Sequence, residues 1–249
     1  MAILHNVTQR SERWEKLRLG IATSSEFDKI WTPPQKPTPT GRAPKYPFGH
    51  ESDQWETYAH KLLFERKAGE KEVEEYRGPW MVQGEEREPD AVQWYELAND
   101  VDTRDIGFIT TDDWKLGCSP DRFAGDDGLV EFKSPKGGTH MGYFLNPGSL
   151  DQRYWVQLQG QLYVSERRWV DIVSYHPKLV DLKVCIRVDR DEDYISALAS
   201  GLRGFNHYLD EASKRLCPDW MEQKQKALAS LPPPAALKDR LHASLEAVP

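Results

Sequence analysis

Cysteine is scarce in this chain, and its distribution excludes two kinds of site. The 249 residues include three cysteines, at positions 118, 185 and 217, and no two of them form a Cys-x-x-Cys pair. Structural zinc and iron–sulfur sites need clustered thiolates, and disulfide scaffolds need more cysteines than this. The sequence therefore predicts neither a thiolate metal centre nor a disulfide framework.

Long apolar runs and an excess of positive charge are also missing. No apolar stretch approaches the length of a membrane span, and residues 1–16 lack the apolar core of a signal peptide, so we expect a cytoplasmic protein. The net charge is −7, from 33 Lys and Arg against 40 Asp and Glu. Proteins that coat nucleic acid rely on a positive field, so this balance argues against that class. It leaves room for an enzyme with a local basic channel.

The most informative stretch that is present runs from residue 117 to 135 and predicts a hairpin. Gly125 to Gly128 reads Gly-Asp-Asp-Gly, which is strong turn chemistry. The next five residues alternate with period two, so Glu131 and Lys133 share one face of a strand. The hairpin brings Asp121 back beside Glu131. Two carboxylates and an ammonium then lie on one polar strip.

This grouping suits hydrolysis of a phosphodiester. Neighbouring carboxylates repel each other unless a cation lies between them, and oxygen ligands favour Mg²⁺ or Mn²⁺. A lysine two residues from a metal-binding glutamate can hold or deprotonate a water. The alternative is a surface hairpin in which Asp121 and Glu131 are solvated and Lys133 pairs with Glu131.

Around this hairpin the pattern predicts one mixed α/β domain with a central sheet flanked by helices. The domain covers residues 1–217 and carries a proline-rich insertion at 31–50, which could be unstructured, contact a partner or touch a substrate. A helix break or start is expected near Pro89. Residues 218–249 form a tail with a short helix at 235–247.

Two further features could belong to a site. Tyr154, Gln157 and Gln161 fall at spacings of three and four in a predicted helix, so two amides lie on one stripe and need polar partners. Glutamines at the rim of the helix are the alternative. A second helix start at Thr23 or Ser24, near the basic Arg18, could bind an anion, or it could be ordinary capping.

Taken together, these stretches resemble the PD-(D/E)XK nuclease superfamily, and more closely the lambda-exonuclease family of YqaJ-like viral recombination nucleases. The resemblance covers roughly residues 11–177 and rests on four blocks in the same order. They are Trp14 to Gly20 with Thr23 to Ser25, then Gly84 to Ala91, then Ser119 to Asp121 with Glu131 to Lys133, and last Tyr154 to Tyr163.

The resemblance implies a role for each matching residue. Two metal ions, Mg²⁺ or in its place Mn²⁺, would be held by Asp121, Glu131, the main-chain carbonyl of Phe132, and Glu88. Lys133 would orient or deprotonate the attacking water, and Gln157 would help to fix Lys133 or the water. Arg18 and Ser25 would hold a terminal 5′-phosphate, and Tyr154 and Gln161 would lie near the DNA.

The implied function is a Mg²⁺-dependent exonuclease that digests one strand of linear duplex DNA from its 5′ end. Its 3′ single-stranded product would serve a strand-annealing protein, in the bacterial cytoplasm if the chain is phage-encoded. Family members form ring-shaped trimers, which implies a homo-oligomer. The alternatives are a PD-(D/E)XK endonuclease and a non-catalytic subunit that binds DNA ends.

Overall fold

The computed structural model describes residues 1–36, 42–72, 78–149, 152–182 and 184–232. These residues form helices α1 Glu12–Arg18, α2 Trp55–Ala68, α3 Pro79–Asn99, α4 Gly137–Leu145, α5 Gln152–Ser165, α6 Glu192–Leu216 and α7 Trp220–Ser230. The strands are β1 Ala2–His5, β2 Ala22–Thr23, β3 Thr103–Asp105, β4 Phe108–Thr111, β5 Leu116–Cys118, β6 Arg122–Ala124, β7 Gly128–Lys133, β8 Trp169–Ser174 and β9 Val184–Asp189. No helix in these ranges is long and apolar enough to cross a bilayer.

The larger sheet has five strands in the order β3-β6-β7-β8-β9. Its central strand, β7, pairs antiparallel with β6 and parallel with β8. Residues 128–131 of β7 are buried, because helices cover both faces of the sheet at its centre. The predicted hairpin and the two later strands are therefore present, and β7 carries Glu131 and Lys133 into the middle of the fold.

A second sheet of four strands, in the order β1-β4-β5-β2, corrects the expectation of one central sheet. Its strands are two to four residues long, so none shows enough alternation for a prediction from sequence. Strand β5, which leads toward Asp121, pairs with β4 and β2 and not with β7. The acidic residues therefore lie where the chain passes from one sheet to the other.

Helices α5 and α6 pack on these sheets and close the main core. Helix α6 starts at Asp191, whose side chain accepts a hydrogen bond from the Tyr194 backbone N–H. Its buried face matches the predicted period, with Tyr194, Ile195, Leu198, Leu202, Phe205 and Leu209. Helix α5 approaches the short 3-10 helix Ser24–Lys29 closely at Gly160, where a Cβ would lie 2.5 Å from the Phe27 ring. A side chain at position 160 would push these two elements apart.

Two helices differ from the predictions. Helix α3 runs without a break from Pro79 to Asn99 and contains Pro89 in its interior, so the expected break near that residue is wrong. A proline at the first helical position needs no N–H partner, and the helix begins at such a proline, Pro79. Helix α4 follows directly after the Lys133 strand and was not predicted, because its two initial glycines suggested a loop.

The part of the tail that the structure describes is packed and helical. Helix α7 lies against α1, and its Leu228 and Lys224 are buried. The short helix predicted at 235–247 and the centre of the proline-rich insertion, 37–41, lie outside the described residues. The two ends of that insertion pair with each other through Thr32 and His50.

Candidate active site

The hairpin formed by β6 and β7 places Asp121 directly opposite Glu131. Arg122 pairs with Val130 in the ladder, and Gly125 has a φ of 57° in the turn, a conformation that glycine adopts without strain. Asp121 lies one residue before the ladder, and its Oδ2 accepts a hydrogen bond of 2.6 Å from the Phe132 backbone N–H. The backbone of the glutamate-bearing strand thus fixes the first carboxylate.

Glu131 is buried, and three side chains hold both of its oxygens. Its Oε1 accepts hydrogen bonds from Lys133 Nζ at 2.6 Å and from Gln157 Nε2 at 2.8 Å. Its Oε2 accepts one from Gln161 Nε2 at 2.7 Å. Two of these donors lie one turn apart on α5, which explains why amides recur there at a spacing of four. The glutamines are therefore partners of a buried carboxylate and not rim residues.

The neighbouring acids raise the proton affinity of Asp121. Burial raises the pKa of Asp121 well above its usual range, and the charges of Glu131 and Glu88 raise it further. Lys133 and the hydrogen bond from Phe132 act in the opposite direction but are outweighed. The carboxylates of this site are therefore not neutralised by the groups around them, which is the condition that favours a bound cation.

Lys133 stays protonated in this environment. Burial lowers its pKa, but the charges of Glu131 and Asp121 and the hydrogen bond to Glu131 outweigh burial, so the net shift is upward. Its Nζ also lies 5.0 Å from the centre of the Tyr154 ring. With the two carboxylates uncompensated, Lys133 acts as a donor that can orient a water, since a general base would need a neutral amine.

Glu88 reaches the cluster from helix α3. Burial raises its pKa and the charge of Glu131 adds to this, while Arg10 and Arg122 lower it. Its Oε2 lies 3.8 Å from the guanidinium of Arg10. The unbroken helix, and not a helix start, therefore positions this acid. Arg10 was not predicted as a site residue, because a single arginine in a basic segment gives no signal in the sequence.

Gln161 is placed differently from the prediction. It is 1% exposed and its amide N–H₂ is bonded to Glu131, so it cannot contact DNA without leaving that partner. Its Oε1 has no hydrogen-bond partner among the described residues. Gln161 is therefore a support for Glu131. Tyr154 is partly exposed beside Lys133 and remains available for a substrate contact.

Of the predicted phosphate-binding pair, Arg18 is the last residue of α1, and Ser25 lies in the short 3-10 helix Ser24–Lys29. Arg18 stacks on Trp14 with its guanidinium carbon 4.3 Å from the ring centre. The charges of Arg18 and Glu131 both act on the thiol of Cys118. Burial raises the pKa of this thiol, the charge of Glu131 raises it further, and the charge of Arg18 lowers it. The expected exposed hydroxyls are only partly present: Thr23 and Ser24 are buried, and Ser25 is exposed.

As oxygen donors, Asp121, Glu131 and Glu88 fit a divalent cation such as Mg²⁺, and the raised pKa of Asp121 shows the charge that such a cation would balance. The side chains do not yet form a coordination shell. Among the described residues, no three His, Cys, Asp or Glu side chains lie close enough together to hold a metal ion. Glu131 is instead turned toward Lys133 and the two glutamines.

Part of the chain is similar to a known protein family. Residues 48–168 match the YqaJ-like viral recombinase domain, and this range contains all the site residues from Glu88 to Gln161. No curated protein sequence matches the chain significantly.

Solved structures show the same fold. An alkaline exonuclease from Laribacter hongkongensis is 27% identical, with a TM-score of 0.66, over 89% of this chain and 100% of its own. The complex of that exonuclease with dAMP gives the same values. A phage-related exonuclease from Haemophilus somnus 129PT is 14% identical, with a TM-score of 0.54, over 78% of this chain and 96% of its own, a likeness of fold alone. Residues 48–168 are therefore similar to the YqaJ-like viral recombinase domain, and the chain has the mixed α/β fold of PD-(D/E)XK-type exonucleases.

Proposed function

We propose that this protein is a metal-dependent deoxyribonuclease that digests one strand of linear duplex DNA from its 5′ end. The family and the structural neighbours support a DNA exonuclease role. The observation that carries the proposal is the arrangement at Glu131, which is held by Lys133 and two glutamines and faces Asp121 across the hairpin.

In this proposal the chain supplies ligands and proton-handling groups. Asp121, Glu131, Glu88 and the main-chain carbonyl of Phe132 would hold Mg²⁺, one or two ions, with Mn²⁺ able to replace it. When bound, the metal would make hydroxide available near neutral pH and balance charge on the phosphate. Lys133 orients the attacking water, while Gln157 and Gln161 keep the Glu131 carboxylate fixed, so that no binding energy is lost in ordering it.

The direction of digestion follows from the end of the DNA that is captured. Arg18 and Ser25 would bind the terminal 5′-phosphate, because a guanidinium and an exposed hydroxyl are suitable partners for phosphate oxygens. The product is a 3′ single strand, which we propose is passed to a strand-annealing protein in the cytoplasm. A homo-oligomer, in the form of a trimeric ring, would keep the enzyme on its duplex.

The test compares linear duplex DNA carrying a 5′-phosphate or a 5′-hydroxyl with closed circular DNA, each with Mg²⁺ or with EDTA. The proposal expects Mg²⁺-dependent loss of the 5′-phosphorylated strand and an intact circle. Lys133→Ala should remove this activity, and Arg18→Ala should remove the preference for the 5′-phosphate. Arg13→Ala is the control, since Arg13 donates to the carbonyls of Leu231 and Pro232.

Each other outcome changes the conclusion. Cutting of the circle, with Arg18→Ala still active on it, would show an endonuclease. DNA binding without cleavage by the wild type under any metal condition would show a non-catalytic end-binding subunit. Cleavage that persists in EDTA would contradict the metal-dependent mechanism.

A further inference from the structure

Arg10 has an unusual backbone conformation for its residue type. Its φ is 65°, in the left-handed region, where a side chain costs roughly 1 kcal/mol relative to glycine. It lies in the turn just before α1, whose N-cap is Ser11. Strain of this kind persists where the surrounding structure fixes it, and it is concentrated at functional sites.

The turn is fixed to the strand end that carries the first catalytic carboxylate. Gln9 Nε2 donates to the carbonyl of Pro120 and to that of Ile106, both at 2.9 Å. Pro120 directly precedes Asp121. The position of residue 10 is therefore coupled to that of Asp121 through the hydrogen bond to Pro120. The Arg10 side chain reaches Glu88 of the same cluster.

The guanidinium of Arg10 reaches the edge of this cluster and remains accessible. It lies 3.8 Å from Glu88, and its side chain is 46% exposed. Arg122, the other arginine whose charge acts on Glu88, is 15% exposed and is bound to Asp105 and Thr103. An ion pair as long and as exposed as that of Arg10 with Glu88 contributes little to stability.

We propose that Arg10 binds a backbone phosphate of the DNA strand entering the active site, and that it pairs with Glu88 when no DNA is bound. A guanidinium recognises two phosphate oxygens at once, which suits it to this task. Its transfer to the phosphate would also release Glu88 for the acidic cluster. This inference rests on the proposed nuclease function and adds a substrate contact to it.

The test uses Arg10→Gly, because glycine adopts a φ of 65° without strain and the variant should fold at least as well as the wild type. Binding of a 5′-phosphorylated duplex is measured by fluorescence anisotropy in EDTA, at salt concentrations from 50 to 200 mM. The loss of one phosphate contact should weaken binding about tenfold at the lowest salt and reduce the slope of log K against log salt by about 0.9. Arg10→Lys should recover part of both.

Arg13→Ala removes the same charge three residues away and should leave the slope unchanged. An equal fall in slope for Arg13→Ala would show that the effect comes from net charge alone, and it would overturn the inference. Unchanged affinity and slope in Arg10→Gly, with a wild type that binds and cleaves DNA, would overturn the inference while the proposed function stands. A wild type that neither binds nor cleaves DNA would overturn both.

Discussion

Two clusters of buried charge among the described residues differ in how their charges are partnered. In the acid cluster, Asp121, Glu131 and Glu88 face one another. In a second place, the cation cluster between α1, α2 and α7, Arg66 and Lys224 are 4% and 8% exposed. Both clusters carry a large cost of desolvation, so the difference lies in how each charge finds partners.

The cations of this cluster are bound by groups of the chain itself, which include the carboxylate of Asp210, 3.6 Å from Arg66. Lys224 Nζ donates to the carbonyls of Leu17 and Leu19, both at 2.8 Å, at the end of α1. Arg66 donates to the carbonyl of Gly20 and stacks on Trp220, with 4.1 Å between its guanidinium carbon and the ring centre. Cations at the carbonyl end of a helix are also favoured by its dipole. The Nζ of Lys224 is thus held by carbonyls of the chain, whereas Nη2 of Arg66 has no hydrogen-bond partner among the described residues.

The acid cluster is left with unbalanced negative charge. Glu131 has an ammonium and two amides as partners, yet its charge and that of Glu88 still raise the pKa of Asp121, which burial has already raised. A fold that served stability alone would replace one of these acids by a neutral residue. The comparison indicates that the cations of the cation cluster find acceptors within the chain, whereas the carboxylates of the acid cluster still repel one another.

The largest effect expected from this comparison is that of Asp121→Asn. The amide oxygen can still accept the hydrogen bond from the Phe132 N–H, so the fold is kept and one repelling charge is removed. We expect DNA cleavage to fall by about 10³-fold or more. The free energy of unfolding at neutral pH should rise by about 1 kcal/mol. Cleavage assays and urea unfolding measure the two changes.

The matched variant in the cation cluster is Lys224→Met. It should keep the activity of its folded fraction, because Lys224 lies outside the acid cluster. If Asp121→Asn were less stable than the wild type, the acid cluster would not be the strained one, and the contrast drawn between the two clusters would fail.

Metal ions should have the next largest effect on stability, and they should act through the acid cluster alone. If Mg²⁺ balances the acids, it binds the folded state alone and adds about 2.7 kcal/mol of stability at 100 times its Kd. Thermal unfolding with increasing Mg²⁺ should therefore show a rising Tm in the wild type. Asp121→Asn should show a much smaller rise, and Lys224→Met a rise like that of the wild type. Equal responses in all three proteins would place the metal elsewhere.

The cation cluster should be the one that titrates near neutral pH. Burial lowers the pKa of Lys224 to about 7, and the charge of Arg66 lowers it further, whereas an unfolded lysine titrates near ~10.4. Between these values the unfolded chain binds more protons, so stability rises with pH, by up to about 1.4 kcal/mol per unit. From pH 7.5 to pH 9 this gives about 2 kcal/mol in urea unfolding.

Lys224→Met should flatten this dependence, because methionine carries no proton to lose. Lys226→Met, which removes an exposed lysine paired with Glu222, is the control and should keep the wild-type slope. Identical slopes in the wild type and Lys224→Met would show that Lys224 does not titrate in this range.

The acid cluster could be predicted from the sequence and the cation cluster could not, for a physical reason. Asp121, Glu131 and Lys133 lie within one hairpin, so the period of two and the turn residues place them together. The glutamines of α5 also follow from helical spacing. Lys224 meets the carbonyls of Leu17 and Leu19 across more than 200 residues of chain, and such a contact leaves no local pattern.

The same limit applies to the fold. The long helices α2 and α6 were predicted because their apolar period extends over many turns. The second sheet was missed because its strands are held by long-range pairing, such as β1 with β4, and not by their own alternation. The continuity of α3 through Pro89 is likewise decided by the elements packed on it and not by residue preference.

The smallest predicted effect concerns two buried glutamines on α5, Gln159 and Gln161. Their variants test whether the hydrogen bonds to Glu131 serve function or structure. Gln159 is fully buried, donates to the Asp189 carbonyl and accepts from the Asp191 N–H, so it joins α5 to the start of α6. Gln161 is bonded to Glu131. Gln161→Leu should reduce kcat about tenfold, since Glu131 Oε2 loses its donor. It should cost less stability than Gln159→Leu, because it also removes a buried Oε1 that has no partner among the described residues.

Gln159→Leu should do the reverse. It leaves a buried carbonyl and a buried N–H without partners, which costs about 1–3 kcal/mol in the free energy of unfolding, while kcat per folded molecule stays near that of the wild type. Steady-state kinetics and urea unfolding of both variants decide the matter. If Gln161→Leu lost stability and kept its kcat, the amides of α5 would belong with the cation cluster, as groups that complete the structure. The proposed positioning of Glu131 would then depend on Lys133 and Gln157 alone.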